Sequence, residues 1–83
     1  MRNYRASGFY EIYASASSTS YYCSYVSCRC HYRDDAAQRC IDLYQRGYTI
    51  EKVILPSGAE IPSSFIEAAI ESGLQATNKA LNG

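Results

Sequence analysis

The chain reads as a small α+β domain of two layers, a mostly antiparallel sheet of three to four strands covered by two helices in the order β-β-α-β-β-α. Three observations lead there. Side chains alternate with period two over residues 9–16 and again over residues 21–32. The period switches to a helical one at Asp34-Asp35. A Pro-Ser-Gly turn at residues 56–58 then separates a β-branched run from a second helical stripe. Hairpins pair neighbouring strands, and the apolar face of the resulting sheet needs helices to cover it.

The first strand is expected from Phe9 to Ala16, with Tyr10, Ile12, Ala14 and Ala16 on one face and Phe9, Glu11, Tyr13 and Ser15 on the other. A polar run from Ser17 to Ser20 is short enough to be a hairpin loop. The return strand, Tyr21 to Tyr32, gathers Tyr21, Tyr22, Tyr25, Tyr32, three of the four cysteines and the only histidine. Its even positions, Tyr22, Ser24, Val26, Cys28, Cys30 and Tyr32, are mostly small and suit packing under a helix. Its odd positions, Tyr21, Cys23, Tyr25, Ser27, Arg29, His31 and Arg33, mix rings with cations and suit an exposed surface.

From Asp34, the residues Ala37, Cys40, Ile41 and Tyr44 fall on one helical stripe, with Gln38, Arg39, Asp42, Gln45 and Arg46 off it. Asp34 or Asp35 is expected to cap this helix and Gly47 to end it in a left-handed conformation. A core helix placed over the small strand face would bring Cys28, Cys30 and Cys40 near one another. Ile50 to Leu55 reads as a strand, Pro56-Ser57-Gly58 as a turn, and Ala59 to Ile61 as a short edge strand. Pro62, Ser63 and Ser64 open the second helix, with Ser64 and Glu67 at capping-box spacing. Its stripe runs through Ile66, Ala69, Ile70, Gly73, Leu74, Thr77 and Leu81, with Gly73 marking a bend or a close contact, and the chain is expected to fray beyond Leu81.

With 83 residues there is room for a single domain and a small core. A hydrophobic content of 47% against 19% charged residues is that of a globular chain. The formal charge is zero but unevenly spread. Residues 1–33 carry Arg2, Arg5, Arg29 and Arg33 against Glu11, whereas residues 34–83 hold seven carboxylates against four cations. Neither half has the strong basic excess of a nonspecific DNA binder. The N-terminal residues lack the apolar core of a signal peptide and no run is long enough to span a membrane, so the expected location is the cytoplasm, where thiols stay reduced.

Chemical motifs are sparse. Cys23, Cys28, Cys30, His31 and Cys40 supply zinc-type donors, but Cys-Arg-Cys in a strand plus a lone helical Cys40 is not knuckle spacing, and buried thiols are the favoured reading. Cys30 and His31 are sequence neighbours, which sends them to opposite strand faces and away from a nucleophile-base pair. The glycines form no phosphate-binding cluster, and no cofactor or metal is expected. The expected function is therefore non-enzymatic binding of a protein through Tyr21, Tyr25, Arg29, His31 and Arg33, extended by Tyr13 and Glu11, since tyrosine and arginine are enriched at interface hot spots. The alternative is a single-stranded nucleic-acid binder stacking bases on the same rings.

The plan resembles small single-domain proteins carried by phages and mobile elements, notably some anti-CRISPR proteins. The resemblance rests on the hairpin Gly8 to Tyr32, the helix Asp34-Asp35-Ala-Ala-Gln-Arg-Cys-Ile-Asp-Leu-Tyr, and the strand-turn-strand Val-Ile-Leu-Pro-Ser-Gly-Ala-Glu-Ile. It implies a stoichiometric inhibitor that occupies a nucleic-acid or partner site on a larger host protein or ribonucleoprotein complex.

Overall fold

In a computed structural model, residues 8–17 and 23–82 are described. The expected loop at Ser17–Ser20 lies mostly outside them, and so do Tyr21 and Tyr22. The strands are β1 (Tyr10–Ser17), β2 (Cys23–Cys30), β3 (Thr49–Ile54) and β4 (Glu60–Pro62), and the helices are α1 (Arg33–Gln45), α2 (Ser63–Ser72) and α3 (Leu74–Ala80). All strand pairs are antiparallel and the sheet order is β2-β1-β3-β4. The α+β class and the antiparallel sheet are as the sequence indicates. The helix count is not: among the described residues three helices replace two.

The difference lies at Gly73. Its φ of 119° and ψ of 179° belong to a region that glycine alone enters without strain, so the helix stops and a new one starts. The Gly73 carbonyl accepts both the Thr77 amide at 3.0 Å and the Thr77 hydroxyl at 2.9 Å. Thr77, read as an apolar stripe position, is thus a fully buried polar residue whose hydroxyl is satisfied locally. Leu74 on the same stripe is exposed, because the break rotates it outward. Nor does the chain fray at once beyond Leu81: the Asn82 amide donates to Lys79, and the Asn82 side chain accepts from Arg33.

The helix starts also differ from expectation. Tyr32 and Pro62 occupy the N-cap positions and neither makes a side-chain cap bond. Asp34 and Asp35 lie inside the first turn of α1, where their charge still favours the positive end of the dipole. Glu67 does not reach back to Ser64; its carboxylate instead accepts the Ile50 amide of β3 at 3.1 Å. The end of α1 follows expectation: Gly47 has φ 95°, the Tyr48 amide reaches the Leu43 carbonyl and the Gly47 amide the Tyr44 carbonyl, both at 3.0 Å.

Burial shows how the layers meet. Ile12 and Ala14 of β1, Ile50 and Val53 of β3 and Ile61 of β4 face Ala36, Ala37, Cys40 and Leu43 of α1 and Ile66 and Ile70 of α2 in one core. The buried stripe of α1 is turned slightly from the expected one, leaving Ile41 and Tyr44 half-buried at its margins. Ile50 and Val53 are three apart, which a regular strand would send to opposite faces. A bulge reconciles them: Tyr13 pairs with Lys52 and Ala14 with Ile50, so Glu51 is the extra residue. In the turn that follows, the Gly58 amide donates to Leu55 and the Leu55 amide to Ala59, both at 2.8 Å, which sets β4 against β3.

Candidate interaction surface on the open sheet face

Helices cover one face of the sheet. On the other, the pairing lines up Tyr25, Ser27 and Arg29 of β2 with Ser15, Tyr13 and Glu11 of β1, and Tyr13 and Glu11 with Lys52 and Ile54 of β3. No described helix packs on this side. Tyr25 is 73% exposed.

The polar groups on this face form a connected series across the four strands. Lys52 lies 3.7 Å from Glu60 of β4 and 5.3 Å from the centroid of the Tyr13 ring. The Tyr13 hydroxyl donates to Glu11 at 2.9 Å, and Glu11 stands 3.7 Å from Arg29. Arg29, in turn, sits 5.6 Å from the Phe9 ring, and Phe9 meets His31 edge-on at 4.6 Å. Tyr32, 6.2 Å from His31 and 70% exposed, ends the series. The hydrogen bond to Glu11 raises the pKa of Tyr13 above its ordinary value, with desolvation and the Glu11 charge adding to the shift and Arg29 opposing it. Charges of alternating sign next to rings give a face that is directional without being strongly charged.

The odd-numbered residues of the return strand do not all share this face. Tyr25 and Arg29 are on it. β2 ends at Cys30, so alternation cannot carry on to His31 and Arg33. His31 remains beside the face through Phe9. Arg33 is the first residue of α1 and its guanidinium binds the Asn82 side chain, which takes it away from the others. Tyr21 lies outside the described residues. Tyr32, expected under the helix, is exposed, because β2 ends two residues before it, at Cys30.

Beside the series a cleft of about 400 Å³ opens between the end of β2 and the first turns of α1, lined by Arg29, His31, Tyr32, Asp35 and Arg39, with Cys30 among its walls. Burial pushes the Cys30 thiol up, a shift that the nearby Arg39 partly offsets. The Cys40 thiol is pushed up to about 12, first by burial and then by Cys30 and Cys28. Cys28, Cys30 and Cys40 are free thiols in or against the core, as the small-residue match between strand and helix implies. Cys30 and Cys40, whose thiols burial keeps protonated, are poor nucleophiles. Among the described residues no group of three or more His, Cys, Asp or Glu side chains converges on a metal site, and no helix is long and apolar enough to cross a membrane.

Phe9, Tyr32, Lys52 and Glu60 belong to the surface but were not singled out in the sequence. Phe9 was legible, since it shares the parity of Glu11 and Tyr13. Lys52 was not, because its face depends on the bulge. The molecule is thus a two-layer α+β domain with one sheet face given to polar and aromatic groups. No protein-family model, curated protein or solved structure matches the chain.

Proposed function

We propose that this is a non-enzymatic binding domain acting in the cytoplasm, whose open sheet face docks on a larger host protein or ribonucleoprotein complex and blocks it sterically, in the manner of an anti-CRISPR-type inhibitor. The observation that carries the reading is the outward presentation of Tyr25 and Arg29 on one strand, continued through Glu11, Tyr13, Phe9 and His31. Large rings and an arginine supply hot-spot contacts, and the alternating charges give register. Protonated core thiols and a histidine held against rings support binding over catalysis.

A tagged wild-type chain is expected to capture a partner from its native host, identified by mass spectrometry. Tyr25→Ala combined with Arg29→Ala should lose that partner while the melting midpoint moves by no more than about 3 °C. Retention of the partner by the double variant, or its unfolding, would overturn the proposal.

The cluster of Arg29, Phe9, His31 and Tyr32 beside the cleft favours one second reading, single-stranded nucleic acid stacked on the rings. A salt-dependent mobility shift with generic single-stranded RNA or DNA would support it, and no shift at low salt would dismiss it.

A further inference from the structure

The two edges of the sheet are built differently. β4 has three residues, ends in Pro62 and runs straight into α2. β2 has eight residues, none of them proline or lysine, pairs with β1 without a break in register, and has no second neighbour among the described residues. A long, regular edge without these protections is a template for another strand. We infer that β2 pairs with β2 of a second copy of this chain, antiparallel about a two-fold axis centred on Ser27, joining two sheets into one of eight strands.

The register follows from symmetry and side-chain chemistry. A two-fold axis perpendicular to the sheet keeps both helix layers on the same side, so each residue must face one of its own parity. Registers centred on Ser27 and on Val26 give the longest overlap. Centring on Val26 sets Arg29 against Cys23 and Tyr25 against Ser27. Centring on Ser27 sets Arg29 against Tyr25 twice, once on each side of the axis, a cation-aromatic pair on the open face. On the helix side the same register sets Val26 against Cys28, and both of these are half-buried against the core, so pairing would extend the two cores into each other. Arg29 keeps its place beside Glu11 and gains a ring on its other flank. The dimer also doubles the open face without covering it, and it does not depend on the proposed partner.

Sedimentation equilibrium of the full chain under reducing conditions should show a concentration-dependent dimer. Ser27→Lys places two ammonium groups opposite each other at the axis and should weaken association about tenfold or more, while at concentrations where both chains are monomeric the exposed position leaves the melting midpoint unchanged. Ser27→Cys, oxidised and mapped by peptide mass spectrometry, should give a crosslink joining residue 27 to residue 27. A chain that stays monomeric at every concentration, a dimer indifferent to Ser27→Lys, or a crosslink joining residue 27 only to other positions would each overturn the inference. Sedimentation reads the purified chain with no partner present, so failure of the dimer and failure of partner capture are distinguishable.

Discussion

The two faces of this sheet use the same strands for opposite purposes. Toward the helices, Ile12, Ala14, Ile50 and Val53 are fully or almost fully buried, and each gains its worth by leaving water. Toward the outside, Glu11, Tyr13, Lys52 and Arg29 satisfy one another on a face open to solvent, with Glu11 half-covered and the exposed Arg29 and Lys52 contacts screened by water. The inner face therefore holds the fold, and the outer face is open to variation without loss of it. That asymmetry makes the outer face suitable for recognition.

The comparison is broken most severely at Ile12. Ile12→Ala deletes buried methyl groups at a site with no exposure and should cost about 2–5 kcal/mol, read as a lower denaturation midpoint in urea with the slope kept. A loss below about 1 kcal/mol would mean that the helix layer does not close on β1.

Alkaline pH sharpens the contrast. The folded Cys40 pKa, about 12, lies above the unfolded value near 9, so the stability it contributes is complete below pH 9 and falls as pH climbs toward 12. The loss should be of the order of 1 kcal/mol by about pH 10 and grow beyond it. Urea denaturation from neutral to alkaline pH, repeated on Cys40→Ala, should show this slope in the wild type and a shallower one in the variant. Equal slopes would show that the thiol titrates in a wet site.

The smallest effect belongs to the outer face. Tyr13→Phe removes the hydroxyl that donates to Glu11 and, at a half-buried site, should cost about 1 kcal/mol. The folded Tyr13 pKa is raised, so its contribution is present below pH 10 and lost as pH rises past the folded value. The wild type should therefore approach the variant's stability at high pH. A cost comparable to that of Ile12→Ala would erase the division between the faces.

How much of this was legible before the structure depended on whether a signal was local. The period-two runs, the helix near Asp34 and its end at Gly47 are decided by neighbouring residues, and they appear close to where alternation and glycine chemistry put them, although the second run stops at Cys30 and the helix begins at Arg33. The mispairing of Ser64 with Glu67 was not local: the carboxylate had a competitor in the Ile50 amide, visible only when α2 lies on β3. Ile-Glu-Lys-Val at residues 50–53 did carry a warning, because two apolar residues separated by two polar ones break strict alternation and point to a bulge. For the candidate surface, parity placed Tyr25, Arg29, Glu11 and Tyr13 together, and it stopped being informative where β2 ends at Cys30. His31, Tyr32 and Arg33 then follow the path into α1, which alternation does not describe.

Glu67 and Ile50 lie seventeen positions apart, and their bond has a bearing on assembly order. The β3 amide next to the bulge finds its acceptor on a segment made later by the ribosome. Until that carboxylate arrives, water is its available partner, and the amide exchanges freely with deuterium. Protection of this one hydrogen is therefore expected to report the docking of α2 on β3.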